Sequence, residues 1–162
     1  MPVKRFSVLF VCTGNICRSP TAEAIFSKLV SDSGRSEQIV AGSAGTHGYH
    51  IGEPPDPRAR DAAAARGYDL SPLRARKLEP GDFERFDLLV AMDREHLSAL
   101  TRLAHPSQAH KLRLMMSFAR NFGEKDVPDP YYGDSQDFER VLDMLEDASI
   151  GLLEWLERPA TQ

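Results

Sequence analysis

The feature that most constrains the fold is a short apolar run close to the start of the chain. Residues Phe6 to Val11 are aromatic, β-branched or aliphatic, with one serine among them. A run of this kind is typical of a parallel strand that is buried on both faces. After a short polar segment, Ser19-Pro20 predicts the start of a helix, because proline is tolerated in a first helical turn. The chain therefore begins as a buried strand, a loop and a helix.

The rest of the sequence repeats this order of strand-like runs and helix-like stretches. Three more strands are predicted, at Gln38 to Ser43, Phe86 to Met92 and Lys111 to Met116. Two helices are predicted, at Arg58 to Arg66, which Gly67 ends, and from Asp93 to about Leu103. Two irregular segments lie at Gly42 to Pro57 and at Asn121 to Gly133. A last helix carries an apolar stripe at helical spacing, formed by Phe138, Val141, Leu142, Leu145, Ala148, Leu152 and Leu156. Strands that alternate with helices predict a parallel sheet with crossover helices, an α/β fold.

Length and composition fit one globular domain. The 162 residues are 41% hydrophobic and 27% charged, with a net charge of −4, which is ordinary for such a domain. We therefore expect a single domain over residues 1–162, large enough to fold without a disulfide or a metal. The negative charge and the lack of a basic run argue against nucleic-acid binding. No stretch approaches the ~20 apolar residues of a membrane span.

The cysteines indicate a reducing compartment. Cys12 and Cys17 are the two cysteines of the sequence, and their spacing suits neither a zinc site nor a secreted disulfide framework. The basic and apolar start of the chain imitates a secretory signal, but its apolar stretch is shorter than the roughly 7–15 residues of such signals. In addition, Val11 precedes Cys12 where a lipoprotein signal needs a small residue. We therefore expect a cytoplasmic protein.

The residues that carry chemistry lie between the first strand and the first helix, from Val11 to Pro20. Successive backbone amides and the positive end of a helix can surround an anion at such a turn. The same field favours a thiolate at Cys12, which is the candidate nucleophile. Arg18 can hold two phosphoryl oxygens with its planar guanidinium, and Ser19 can donate a hydrogen bond to the sulfur. Gly14 permits either a close backbone approach or a positive φ.

A thiolate that attacks phosphorus leaves an oxygen that needs a proton, so a carboxylic acid must lie near the loop. Asp129 is the candidate, because Pro128 and Pro130 on either side stiffen its segment. The next two residues, Tyr131 and Tyr132, can flank an aromatic substrate. From these residues alone, the segment is a rigid acidic turn, which is the more common meaning of Asp-Pro.

Together, the two segments resemble the motifs of the low-molecular-weight protein-tyrosine phosphatases. That family carries a Cys-x5-Arg-Ser loop near its N-terminus, which Cys12 to Ser19 match, and an Asp-Pro-Tyr segment near its C-terminus, which Asp129 to Tyr131 match. Asp56 to Arg58 and Asp87 to Asp93 extend the similarity over nearly the whole chain. The resemblance implies an α/β fold of three layers, a four-stranded parallel sheet flanked by helices, with the phosphate-binding loop after the first strand.

The resemblance also implies a reaction, the hydrolysis of phosphotyrosine monoesters through a phosphocysteine intermediate without a metal or a cofactor. Cys12 is then the nucleophile, Arg18 the transition-state clamp, and Ser19 the partner of the thiolate. Asp129 is the general acid and then the base. Cys17 matches a second cysteine that can form a reversible disulfide with the nucleophile, and simple packing is the alternative. The implied phosphate-binding and substrate-binding residues are Thr13, Gly14, Asn15, Ile16, Cys17, Tyr49, Tyr131 and Tyr132. The implied partners are phosphotyrosine-containing proteins, with a cognate tyrosine kinase as a further candidate.

The sequence departs from the family at one supporting position. Some members carry a histidine that orients the loop asparagine, but Leu73 stands there in this chain and cannot form a hydrogen bond. Asn15 must then be held by another group, for which Ser43 is the candidate. His47 and His50 are expected at the rim of the cleft or in solvent rather than as metal ligands.

Three other functions fit parts of the pattern. Arsenate reductases on this scaffold relay oxidation through further cysteines, and none follows Cys17. Protein-arginine phosphatases carry a threonine where Ile16 stands, and the apolar side chain of Ile16 favours an aryl ring over a guanidinium. An inactive phosphate-binding module could lack the nucleophile or the acid, but Cys12, Arg18 and Asp129 are all present. The sequence therefore favours an active tyrosine phosphatase.

Overall fold

Four parallel strands form one sheet in the computed structural model of the chain, which describes residues 5–158. The strands are β1 (Phe6–Cys12), β2 (Ile39–Gly45), β3 (Leu88–Ala91) and β4 (Leu112–Leu114). Their order across the sheet is β2-β1-β3-β4, and all three pairs are parallel. The predicted four-stranded parallel sheet is confirmed, with β1 near its centre.

Helices join the strands on both faces of this sheet. In the described part of the chain they are α1 (Arg18–Asp32), α2 (Pro57–Ala64), α3 (Asp82–Arg85), α4 (Arg94–Leu103) and α5 (Ser135–Glu157). Two 3-10 turns, Pro106–Lys111 and Met115–Phe118, flank β4. None of the helices between residues 5 and 158 combines the length and apolar character needed to span a bilayer.

Alternate residues of β1 point to the two faces and create two hydrophobic cores. Val8 and Phe10 are fully buried in the larger core, which α1, α2 and α5 cover. Within it, the rings of Phe10 and Phe26 meet edge to face at 5.6 Å. Leu9 and Val11 are fully buried in the smaller core, which α3 and α4 cover. The sheet is therefore the middle of three layers, as the resemblance implied.

The long helix α5 supplies much of the larger core through its predicted apolar stripe. Six of the seven stripe residues are buried, namely Phe138, Val141, Leu142, Leu145, Ala148 and Leu152, and the seventh, Leu156, is partly buried against the same core. The helix begins with a capping box, because the Asp134 carboxylate accepts from the main chain of Asp137 and the Asp137 side chain caps Asp134 in return. The predicted helix and its buried face are confirmed.

Several predicted boundaries were wrong. Pairing with β1 carries β2 as far as Gly45, so the irregular segment begins later than the predicted Gly42. Met115 and Met116, predicted as the end of the fourth strand, lie in a 3-10 turn instead. The third strand is shorter than the predicted residues 86–92, and the helix α3 was not predicted. Elements of three or four residues are too short to give a periodic pattern in the sequence.

Gly151 allows α5 to pass close to the segment that follows β4. A methyl group at Gly151 would overlap the main-chain carbonyl oxygen of Phe118. We expect Gly151→Ala to lower the free energy of unfolding by about 1–3 kcal/mol, the usual cost of overpacking. Gly123→Ala is the matched control, since an added Cβ there meets nothing within 4 Å. Chemical denaturation should find the control within about 0.5 kcal/mol of the wild type, and equal stability of both variants would contradict the close packing.

Candidate active site

The strand β1 ends at Cys12, and residues 13–17 form a tight loop that leads directly into α1. Asn15 adopts a left-handed backbone conformation with a φ of 58°, which asparagine tolerates better than most residues. Gly14 has no positive φ. A Cβ atom on Gly14 would instead lie 3.0 Å from Cδ2 of His50. Of the two predicted reasons for Gly14, the positive φ is therefore absent, and the contact that a Cβ would make is with the His50 side chain.

The segment after β2 surrounds this loop through main-chain hydrogen bonds. The N–H of Thr46 donates to the carbonyl oxygen of Cys12 at 2.8 Å, and the N–H of Asp56 donates to that of Ile16 at 2.8 Å. In these bonds the carbonyl oxygens of Cys12 and Ile16 are the acceptors. For the N–H groups of residues 13–17, no acceptor is found within the described part of the chain. They remain available to an anion at the loop.

A chain of side-chain hydrogen bonds leads from the sulfur of Cys12 to a carboxylate. The Sγ atom lies 2.9 Å from Oγ of Ser19. The Nδ2 atom of Asn15 donates to Oγ of Ser19 at 2.8 Å and to Oγ of Ser43 at 2.9 Å. Ser43 in turn donates to Oε1 of Glu23 at 2.6 Å. The predicted contact between Ser19 and the sulfur is present, and the predicted support of Asn15 by Ser43 is confirmed.

These bonds have a defined direction because an amide nitrogen only donates. The Ser19 oxygen accepts from Asn15, so the hydroxyl hydrogen of Ser19 is left to point at the sulfur. The main-chain N–H of Arg76 donates to Oδ1 of Asn15 at 3.0 Å, which fixes the orientation of the amide. Burial raises the pKa of Glu23, against the opposing effect of the Ser43 hydrogen bond. Neither Glu23 nor Arg76 was predicted to support the loop.

Arg18 is held in place by groups from two distant segments. Its side chain is almost fully buried, and Nη1 donates to Oδ2 of Asp93 and to the carbonyl oxygen of Val127, both at 2.9 Å. The Nη2 atom lies 3.7 Å from Oδ2 of Asp129, whose side chain is half exposed. Neither Asp93 nor Val127 was predicted to belong to the site. The predicted nucleophile, clamp and acid thus converge on one place.

One cavity of about 230 Å³ collects the predicted residues. Its lining residues are Cys12, Thr13, Gly14, Ile16, Cys17, Arg18, Tyr49, His50, Asp129, Tyr131 and Tyr132. Of the predicted site residues, Asn15 and Ser19 do not line the cavity. Both are buried beside it and act on the loop through the hydrogen bonds described above.

Aromatic side chains form the rim of the cavity. Tyr49 is 70% exposed and stacks on the ring of His47 at 5.0 Å. Tyr131 and Tyr132 meet edge to face at 4.9 Å, and Tyr132 is 95% exposed. The guanidinium of Arg58 lies 5.4 Å from the centre of the Tyr131 ring. The rim therefore offers several ring faces to a flat ligand.

The two histidines of this rim have side-chain partners of their own. Nδ1 of His47 lies 2.8 Å from Oγ1 of Thr46, and Nδ1 of His50 lies 2.6 Å from Oε2 of Glu53. Nowhere in residues 5–158 do three or more His, Cys, Asp or Glu side chains come together as a metal site would require. Of the two positions predicted for these histidines, the rim applies to His50, which lines the cavity, whereas His47 is exposed and contacts the rim through the ring of Tyr49.

Cys17 lies at the start of α1 and is buried, and both cysteines are free thiols. Burial raises the pKa of Cys17 far above its ordinary value, and nearby Cys12 raises it further, whereas Arg18 opposes both effects. Because only the thiolate is strongly nucleophilic, and Cys17 stays protonated at neutral pH, Cys17 is a weakly reactive thiol.

Comparison with known proteins gives the same assignment over nearly the whole chain. Residues 7–162 match the family described as low molecular weight phosphotyrosine protein phosphatase. A low molecular weight protein-tyrosine-phosphatase of Streptomyces coelicolor is 50% identical over 151 residues, which cover 91% of this chain and 92% of that protein.

Solved structures agree with the sequence comparison. A protein tyrosine phosphatase from Entamoeba histolytica with Hepes in the active site has a TM-score of 0.92 and 39% identity, and the match covers 94% of this chain and 97% of that one. Vibrio vulnificus Wzb in complex with benzylphosphonate has a TM-score of 0.81 and 29% identity, over 94% of this chain and 99% of that one. With the loop, the cavity and these matches in agreement, the chain belongs to the low molecular weight protein-tyrosine phosphatases and is an enzyme of that class.

Proposed function

We propose that Cys12, Arg18 and Asp129 carry out the phosphatase reaction on phosphotyrosine proteins through a phosphocysteine intermediate. The observation that supports this assignment is their convergence on one cavity beside the free N–H groups of residues 13–17. A phosphoryl dianion in that loop would face these donors and the guanidinium of Arg18, which favour its negative charge.

In the first step, the Cys12 thiolate attacks phosphorus and forms the S–P bond while the ester P–O bond breaks. Asp129, as the carboxylic acid, gives its proton to the leaving tyrosine oxygen. In the second step, the Asp129 carboxylate takes a proton from water, the water oxygen bonds to phosphorus, and the S–P bond breaks. Phosphate leaves, and the thiolate and the acid are restored.

Ser19 and Arg18 assist both steps. The Ser19 hydroxyl points at the sulfur and stabilises negative charge there, both when the thiolate attacks and when it leaves. Arg18 and the loop amides of Thr13, Gly14, Asn15, Ile16 and Cys17 hold the equatorial oxygens, on which charge is spread in the transition state. Apart from the substrate and the attacking water, the scheme uses only groups of the chain itself, without a metal or a cofactor.

The rim supports the choice of an aryl ester. We expect the phosphate of a phosphotyrosine side chain to bind at the loop while its ring lies near Tyr49, Tyr131 and Tyr132, which line the same cavity. Ile16 adds an apolar contact at the loop. Wzb of Vibrio vulnificus binds benzylphosphonate, whose ring and phosphonate resemble that side chain, and this also favours an aryl phosphate here.

We also propose that one domain, residues 1–162, acts in the cytoplasm. A thiolate nucleophile needs a reducing compartment, and both cysteines are free. Phosphotyrosine is made by tyrosine kinases, so a cognate kinase is the implied counterpart of the enzyme. The net charge of −4 supports a protein partner rather than a nucleic acid, and the interaction requires no membrane.

A redox switch is the last part of this proposal. Peroxide converts the Cys12 thiolate to a sulfenic acid, with release of hydroxide. The Cys17 sulfur then attacks the sulfenic sulfur and forms an S–S bond while the S–O bond breaks; the proton of the Cys17 thiol passes to the departing hydroxide, water leaves, and a dithiol reductant restores both thiols. Two observations support this order, since both cysteines line the same cavity and burial keeps Cys17 protonated and slow to oxidise.

Asp129→Asn tests the general acid. The variant should lose about 10²–10⁴-fold in kcat on aryl phosphates with poor leaving groups, the usual contribution of a general acid. It should lose much less on activated esters, whose leaving groups need no proton. Steady-state kinetics on a series of substituted phenyl phosphates measures this difference. Asp126→Asn is the matched control, because that carboxylate pairs with Arg94 and should be dispensable on every ester. Equal losses of Asp129→Asn on good and poor leaving groups would move the acid elsewhere.

Cys17→Ser tests the redox switch. The variant should keep nearly wild-type initial activity, yet its activity after peroxide treatment should not return on addition of dithiothreitol. The wild type should recover most of its activity, because the disulfide protects Cys12 from further oxidation. Inorganic phosphate added before peroxide should protect both proteins. If both proteins recover to the same extent after matched oxidation, Cys17 is a packing residue and the switch does not exist.

A further inference from the structure

A buried histidine on α4 contacts the phosphate-binding loop, and the proposed mechanism gives it no role. His96 is 3% exposed, and its Nε2 atom lies 2.8 Å from Oγ1 of Thr13. The two residues are 83 positions apart in the chain. The main-chain N–H of His96 donates to Oδ1 of Asp93, the residue that caps α4. His96 therefore lies between the loop and Asp93.

The other ring nitrogen faces the same carboxylate. Nδ1 of His96 lies 3.0 Å from Oδ1 of Asp93, but the two atoms are not aligned as a hydrogen bond, and in residues 5–158 this buried nitrogen has no other partner. The second carboxylate oxygen of Asp93 accepts from Nη1 of Arg18 at 2.9 Å. One carboxylate thus contacts both the histidine and the arginine of the site.

The charges around the ring decide which nitrogen carries the hydrogen. Burial lowers the pKa of His96 to about 4, helped by the positive charge of Arg18 and opposed by the carboxylates of Asp93 and Asp129. The ring is therefore neutral at neutral pH, with one N–H. A lone pair on Nδ1 would face the Asp93 carboxylate and be repelled, so the hydrogen belongs on Nδ1. Nε2 is then an acceptor, and the Thr13 hydroxyl donates to it.

We propose that His96 is a positioning residue that aligns the phosphate-binding loop with Arg18. It fixes Thr13 in the loop through the side-chain hydroxyl, and its ring packs against Asp93, which accepts from the main-chain N–H of His96 and orients the guanidinium. The proposal rests on the proposed role of Arg18 as the phosphate clamp. The Thr13 hydroxyl is turned toward the histidine, so Thr13 serves phosphate through its main-chain N–H.

Alignment of this kind matters most in the transition state, where charge spreads over the oxygens that the loop and Arg18 hold. Loss of the His96 contact should therefore lower kcat more than it raises KM. Affinity for vanadate, which can adopt the five-coordinate geometry of the transition state, should fall more than affinity for inorganic phosphate. If His96 only fills space, its substitution should lower stability. It should then not lower kcat more than it raises KM, and it should not weaken vanadate binding more than phosphate binding.

Matched variants separate the hydrogen bond from the shape of the side chains. Thr13→Val keeps the shape and removes the hydroxyl, whereas Thr13→Ser keeps the hydroxyl. His96→Asn is too short to reach Thr13, whereas His96→Gln can place an amide oxygen near the position of Nε2. Thr13→Val and His96→Asn should each lower kcat/KM by about tenfold to a hundredfold, as small misplacements in active sites do. Thr13→Ser and His96→Gln should retain most of it.

A double-mutant cycle then tests whether the two residues act as one unit. The Thr13→Val, His96→Asn double variant should be no slower than the slower single variant. His110→Asn, at an exposed histidine far from the loop in sequence, is the control and should match the wild type. Losses that multiply in the double variant would overturn the proposal.

The Thr13 variants also test the proposal independently of the His96 variants. If His96→Asn does not fold, as judged by its melting temperature, the Thr13 pair still gives an answer. Wild-type kcat and vanadate affinity in Thr13→Val would overturn the proposal by themselves. A wild-type enzyme with no phosphatase activity would contradict the proposed function. If the wild type is active and the losses in kcat/KM of the two single variants multiply in the double variant, only the role of His96 is contradicted.

Discussion

The hydrogen bonds of the Asn15 side chain determine the shape of the loop after β1, and the site depends on that shape. A loop that leaves its own N–H groups free for an anion cannot be stabilised by them, so side chains must fix it. Asn15 takes a left-handed conformation and donates both amide hydrogens, to Ser19 and Ser43, while Arg76 binds its oxygen. The same bonds turn the Ser19 hydroxyl toward the sulfur of Cys12. One side chain therefore sets both the cradle for phosphate and the surroundings of the proposed nucleophile.

The sheet order explains why support reaches this loop from both sides. The strand β1 lies between β2 and β3, and the carboxyl ends of neighbouring parallel strands meet at one edge, where ligands bind in such folds. Ser43 comes from β2 and connects the loop to Glu23. Asp93 follows β3, binds Arg18 and lies against His96. The central position of β1 thus gives the loop one polar network from each neighbouring strand.

Local sequence was sufficient for the residues of the loop and for Asp129, which stands in a short motif of its own, and insufficient for most residues that support the loop from elsewhere in the chain. The run that forms β1, the loop with Cys12 and Arg18, and the stripe of α5 all follow from short-range patterns. Ser43 was predicted only because Leu73 cannot orient an asparagine. His96 and Arg76 could not be predicted, since they reach the loop from 83 and 61 residues away. A single hydrogen bond between distant segments leaves no periodic trace, and it appears only when the sheet brings the segments together.

Transfer of the phosphoryl group to Cys12 is tested most directly by trapping the intermediate. The enzyme is mixed with excess phosphotyrosine peptide, denatured within milliseconds, digested and analysed by fragment mass spectrometry. A phosphoryl group should be found on the sulfur of Cys12, and Cys17→Ser, in which Cys12 is the only cysteine left, should carry it in the same amount. Turnover of the peptide with no phosphoryl group on Cys12, or with the group on another side chain, would contradict the phosphocysteine mechanism.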